Sequence, residues 1–354
     1  MTHQDKLHPH IFRTFLFVSM AIACTKVAGC RSSPVTYSPP NTSLPSAHSS
    51  SDLFAHISKS ITPETVMQHV QHLAGHIGNR PLGSENERRA AQYIAQQLEQ
   101  WGYTIEFQPF TTPLNTEQSR DSLNIIATRP GNHQWLVIGA HIDSISQGVG
   151  AVDNASGVAA MLETAKILSQ VDSPHTLIFV GFGAEEAGRL HGSEYYVQSL
   201  QQKTNNIIAM LNIDAIGVGT YAYVHAGAII NAYEPATNNV VFTPGESWVR
   251  ELAIRVANDF GHDLRTAPKE YWNGYTGWWS DHYAFVKADI PVAYFEAWDW
   301  HTPVSQPWWG QETSFGDISN THADTLDKVV PQKVEIITEI IAGTAVEIVT
   351  NPEK

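Results

Sequence analysis

The chain has 354 residues, 42% of them hydrophobic, which is enough for one large α/β domain or two smaller ones. Its 35 acidic residues outnumber 21 basic ones, and a formal charge of −14 argues against nucleic acid or anionic lipid as the main partner. Both cysteines, Cys24 and Cys30, lie in the first thirty residues, so the remainder has no disulfide, cysteine nucleophile or thiolate ligand, and any metal must be held by His, Asp and Glu.

In chain order, Lys6 and Arg13 precede the apolar run Phe15 to Cys24, the charged and hydrophobic regions of a secretory signal. The run is too short to span a bilayer as a stable helix. It ends in Val27-Ala28-Gly29-Cys30, which resembles a bacterial lipobox, although Lys26 is irregular there. A plain signal peptide cut nearby is the alternative. The lipobox implies loss of residues 1–29 as a signal peptide and lipidation of Cys30. The product is an exported lipoprotein anchored to, not spanning, the membrane. Arg31 favours the outer membrane, on its periplasmic or cell-surface side. Residues 30–50 are rich in Ser and Pro and read as a tether. Residues 51–354 read as a single domain.

Within that domain the patterns predict helices over 63–77 and 85–101, the second with Ala90, Tyr93, Ile94 and Leu98 on one stripe. Strand-like runs follow at 104–110, 123–128 and 135–139. Next come a helix near 155–170, strand 176–182, helix 192–202 and strand 207–213. A helix near 246–260, strand 291–296 and an amphipathic helix 331–350 complete the order. The alternation predicts an α/β three-layer sandwich, with a mainly parallel, mixed central sheet and helices on both faces.

Five short segments carry ionisable residues, most of them just after a predicted strand, where open α/β sheets bind ligands. His141-Ile-Asp143 pairs an imidazole with a carboxylate able to fix its tautomer, though a chance loop pair fits as well. Asp153-Asn154 opens a helix, either as a cap or as a carboxylate shared by two cations. Glu185-Glu186 follows an apolar strand, and adjacent carboxylates there repel unless a cation or proton compensates. A solvated acidic turn is the alternative. Asp214 ends another apolar strand, where an unpaired carboxylate is costly. His322-Ala-Asp324-Thr-Leu-Asp327 precedes the last helix, and His301 competes with His322 for one role.

Taken in order, these segments resemble the co-catalytic di-zinc aminopeptidases, a family that also holds glutamate carboxypeptidase-like and glutaminyl cyclase members. Arg80-Pro-Leu-Gly-Ser84 and Ser280-Asp281-His282 extend the likeness, which covers residues 63–350. The middle section is most similar to bacterial aminopeptidases linked to alkaline phosphatase isozyme conversion. The resemblance implies two zinc ions per chain. His141, Asp153 and Asp214 would hold one, and Asp153, Glu186 and His322 the other. It makes Glu185 the general base and Asp143 the residue that orients His141. The family usually has Asp where Asn154 stands, a position not expected to bind metal.

The implied activity is removal of N-terminal residues from peptides or proteins by a metal-activated water. Zinc carboxypeptidase and glutaminyl cyclase are the alternatives. A carboxypeptidase would want a basic clamp, and no Arg cluster lies near the motifs. Cyclases need one zinc, whereas His141 and Asp214 are both present. Tyr275, Trp278, Trp279, Glu296 and Asp299 lie in an aromatic-rich stretch and are candidates for the substrate pocket, with Glu296 and Asp299 favouring a basic side chain.

Overall fold

The computed structural model describes residues 50–114, 117–186, 190–234, 239–270, 272–302, 310–312, 314 and 316–350. The signal, Cys30 and all but the last residue of the tether lie outside them, as do Tyr271, Trp308 and Trp309 of the aromatic stretch. The first half runs α1 (Ser50–Ser60), α2 (Pro63–Val70), α3 (Glu85–Gln100), β1 (Thr104–Pro113), β2 (Ser119–Arg129), β3 (Trp135–His141), α4 (Gly157–Leu168) and β4 (Thr176–Phe182). It continues with α5 (His191–Leu200), β5 (Ile207–Ile213), β6 (Tyr221–Ala226), β7 (Ala228–Glu234), β8 (Asn239–Pro244) and α6 (Trp248–Phe260). The last elements are β9 (Leu264–Arg265), α7 (His282–Val286), β10 (Val292–Trp298) and α8 (Pro331–Thr350).

Eight strands form one sheet in the order β1-β2-β4-β3-β5-β10-β6-β9. Its centre, β4-β3-β5-β10, is parallel. β2 joins β4, and β6 joins β10, antiparallel. The fold is the mixed, mainly parallel α/β architecture that the alternation predicts. β7 and β8 form a separate hairpin.

Side chains alternate across the central strands, as a period of two requires. Leu136, Ile138 and Ala140 of β3 join Leu177 and Phe179 of β4 in a cluster with α1–α4, α6 and α8. Val137 turns to the other face, with Ile178, Val180 and Phe182, and packs toward Tyr196 of α5 and Phe285 of α7. Both faces are buried, which explains the nearly continuous apolar runs.

Local signals fix several boundaries. The Thr62 hydroxyl accepts from the Thr65 N–H, and Pro63 occupies the first turn of α2. Ser84 caps α3 by accepting from the Glu87 N–H. α4 starts at Gly157, two residues later than expected, because Asp153 and Asn154 have non-helical backbone angles. α1, β6, β9, α7 and the β7–β8 hairpin were not anticipated. β9 has two residues and β6 six, too short for a clear period.

Candidate metal centre

Three neighbouring parallel strands deliver the central side chains. His141 is the last residue of β3, Glu185 lies three residues past the end of β4, and Asp214 directly follows β5. Because β3 lies between β4 and β5, these residues emerge together at the carboxyl edge of the sheet.

The imidazole Nε2 of His141 lies 3.0 Å from Asp153 Oδ1 and 3.2 Å from Asp214 Oδ1. Both carboxylates and the imidazole are buried. One ring nitrogen cannot serve two carboxylate oxygens equally, and Asp153 Oδ1 has no hydrogen-bond partner. Donors on a tetrahedral zinc at about 2.0–2.1 Å stand roughly 3.3 Å apart, close to these separations. Donor atoms of His141, Asp153 and Glu186 also lie within 4.8 Å of one another. Asp214 and Glu186 therefore flank the His141–Asp153 pair. The donor set fits divalent zinc, since it is all N and O and includes an orphaned buried oxygen.

The electrostatics agree. Burial, with Asp214 and Asp143 nearby, raises the Asp153 carboxyl above its ordinary range. Burial, then Asp153, pushes Glu186 up to about 10. Burial, reinforced by Asp214, Asp281 and Glu186, holds Glu185 well above its ordinary range. Burial alone would lower His141, but Asp214 and Glu185 outweigh it and raise this imidazole. Without a cation, so many buried carboxylates must share protons.

A supporting layer positions these groups. The Asp143 carboxylate, fully buried, accepts the backbone N–H groups of Glu185 and Glu186, each at 3.1 Å. Its Oδ1 is also 3.6 Å from His141 Nδ1, and that nitrogen is 3.2 Å from the Asp143 carbonyl. The Asp324 carboxylate accepts from the N–H groups of Val152 at 2.7 Å and Asp153 at 2.9 Å. Asn154 donates to the Ile213 carbonyl and accepts from Gly157 and Ala215, tying the Asp153 turn to the end of β5. The buried Arg80 guanidinium donates to the carbonyls of Ile142, Gly78, Val149 and Gly150. Gly150 has φ +60°, and a Cβ there would stand 2.5 Å from Ser144 Cβ and 2.8 Å from Arg80 Nη2. The roles of Asp324 and Arg80 were not legible in the sequence. Their only signal was membership of quoted motifs.

The structure places His322 apart from this group. Its side chain is exposed, and it does not belong to the one converging group of His, Asp and Glu donors among the described residues. The Asp324 N–H donates to the Thr321 carbonyl, so His322 and Ala323 are the corner residues of a turn. Asp324 is anchored inward and the corner faces solvent. His301 is exposed too, with Nδ1 2.8 Å from the Tyr223 hydroxyl. Asn320, at the mouth of the site, has its side-chain amide against both Glu186 oxygens.

A cavity of about 500 Å³ opens beside the centre. Its walls include Asp153 and Asp214 together with Trp272, Trp278, Trp279, Trp298 and Trp300. Glu296 also lines it, but its oxygens accept from Trp300 Nε1 at 2.5 Å and Tyr294 at 3.0 Å, and face His225 Nε2 at 2.9 Å. Glu296 therefore builds the wall rather than waiting for a basic substrate. Tyr275 and Asp299 do not line the cavity. Tyr275 packs with Phe242 and beneath Arg250. Asp299 holds its own turn by accepting from the His301 N–H and the Thr302 hydroxyl. Among the described lining residues none is Lys, Arg or His.

Residues 124–345 match the model of peptidase family M28. The alkaline phosphatase isozyme conversion protein of Escherichia coli K12 is 26% identical over 301 residues, covering 75% of this chain and 83% of that protein. A solved zinc aminopeptidase from Bacillus subtilis shares the fold at a TM-score of 0.67 and 19% identity, over 83% of this chain and 96% of that one. The glutaminyl cyclase of Porphyromonas gingivalis shares it at 0.64 and 19%, over 82% and 99%. Other curated relatives are longer, and the chain spans 32% to 48% of their length.

Proposed function

The chain belongs to peptidase family M28, and on that premise we propose that it is a zinc-dependent aminopeptidase acting on peptide or protein N-termini. The observation that carries this reading is the cavity beside the centre, aromatic and acidic, with no basic side chain among its described lining residues. Such aromatic walls suit a free ammonium terminus. A carboxypeptidase would need a cationic clamp, which none of the described lining residues supplies.

We propose two metal positions. His141, Asp153 and Asp214 would hold one ion, and Asp153 with Glu186 would share the other. Bound zinc would supply a Lewis acid and acidify a water. Glu185 would take the proton of the attacking water and return it to the leaving amine. Asp143 would keep Glu185 and His141 in mutual register through the backbone bonds it accepts. The aromatic wall would receive the side chain of the first residue and exclude water.

The N-terminal sequence supports a further element of this reading, an exported protein anchored through lipid on Cys30, with residues 51–354 as the catalytic domain. Radiolabelled fatty acid should enter the wild-type protein and not Cys30→Ser.

The activity is tested by incubating the zinc-loaded protein with paired free and N-acetylated peptides, some beginning with Gln, and reading products by mass spectrometry. Stepwise loss from free N-termini alone is expected. Trimming of both sets from the C-terminus would establish a carboxypeptidase instead, and loss of ammonia from the Gln peptides a cyclase.

A further inference from the structure

We propose that Asn320, not a histidine, completes the second metal position, which makes that position an all-oxygen site formed with Asp153 and Glu186. The inference rests on the two-metal reading above.

Three observations lead to it. First, His322 is at the exposed corner of the turn that Asp324 anchors. Second, the Asn320 carboxamide lies against both oxygens of Glu186 and lines the same cavity as Asp153, so either its NH2 donates to that carboxylate or, turned over, its carbonyl points to the same place. With its NH2 inward the amide pairs with the Glu186 carboxylate, and with its carbonyl inward it would add a third oxygen donor for a cation held there. Third, the buried Asp153 carboxylate, whose Oδ1 faces His141, belongs to the same group of donors as Glu186 and has a second oxygen for a neighbouring ion. A cation beside Glu186 would be within reach of Asp153 and of the Asn320 carbonyl together.

The backbone is suited to the residue. Asn320 has φ +58°, a left-handed conformation that Asn adopts more readily than most residues. The loop is also fixed to its target, because four residues on Asp324 accepts from the Asp153 N–H at 2.9 Å. Asn320 and Asp153 are thus held by one short loop.

The chemistry separates the two positions. His141, Asp153 and Asp214 offer one imidazole nitrogen and two carboxylates, a set suited to zinc. Asp153, Glu186 and Asn320 offer two carboxylates and an amide carbonyl, which suit harder ions such as manganese. The site should therefore hold one zinc tightly and exchange the second ion readily.

The test is calorimetric titration of the metal-stripped full chain with zinc and then manganese, with bound metal counted by mass spectrometry. The wild-type protein should show two unequal zinc sites, and manganese should compete only at the weaker one. Asn320→Gly preserves the backbone conformation and should weaken the second site by roughly tenfold or more. Asn320→His should tighten it for zinc and against manganese. His322→Ala should leave both sites unchanged. Loss of the second ion in His322→Ala, or its full retention in Asn320→Gly, would overturn the assignment while leaving the two-metal reading intact. A wild-type chain that binds no metal would overturn both.

Discussion

Asp143 Oδ1 accepts the backbone N–H of Glu185 at 3.1 Å, so the carboxylate that stands behind His141 also holds the residue assigned as base. The same carboxylate takes the Glu186 N–H through its other oxygen. A single buried group thus couples the loop after β3 to the loop after β4. Asp143→Ala should weaken zinc binding by about 10–100-fold and lower kcat, because it frees both loops together. Titration with a zinc chelator, beside steady-state kinetics, checks this. Unchanged affinity would show that the loops hold themselves.

Glu185→Gln keeps the shape of the site and removes the proton acceptor. It should retain full zinc content and lose roughly 10²–10⁴-fold in turnover. Metal counting and kinetics on the same preparation separate the two effects, and near-normal turnover would remove Glu185 from the base role.

Asp324 accepts two buried N–H groups, those of Val152 and Asp153. Asp324→Ala leaves both without partners. Each orphaned donor costs about 1–3 kcal/mol, so unfolding free energy should fall by about 2–6 kcal/mol. Urea denaturation of both proteins with metal removed measures this, and an unchanged midpoint would mean that water replaces the carboxylate.

Glu87 gives a pH dependence away from the metal. Burial, reinforced by Asp143, pushes its carboxyl up to about 7 from an ordinary 4.5, against bonds from Ser122 and Gly83. The folded protein therefore holds a proton that the unfolded chain has released between those values. Stability from this group is present at low pH and declines as pH rises toward 7. Glu87→Gln removes the decline, so from pH 5 to 8 the variant should gain about 2–3 kcal/mol on the wild type. A difference that does not vary with pH would show Glu87 ionised throughout.

Trp279 lines the cavity and packs at 5.0 Å against Trp272 and 5.8 Å against Trp300. Trp279→Ala should raise KM for substrates with a large first side chain by roughly tenfold or more, with little change for an N-terminal alanine. Equal losses on both would place the first side chain elsewhere.

The sequence by itself determined the sheet centre and most of the site. Runs such as Trp135–His141 and Thr176–Phe182 are short, apolar and buried on both faces, so they read as central strands without any tertiary information. The polar residues that end them then fall at the carboxyl edge, which is why His141, Asp143, Glu185, Glu186 and Asp214 were identifiable. Tertiary structure decided what depends on contacts across long separations or on the turn of a loop. Asp324 meets Val152 from 172 residues away, and no local pattern announces such a bond. Asp299 spends its oxygens on its own turn, and Tyr275 packs under Arg250, although composition placed both in the pocket. His322 and Asn320 differ by two positions, yet only the turn beginning at Thr321 sends the imidazole outward while the amide meets Glu186. Residue type and spacing name the chemistry available to a site, and the backbone path selects which side chains reach it.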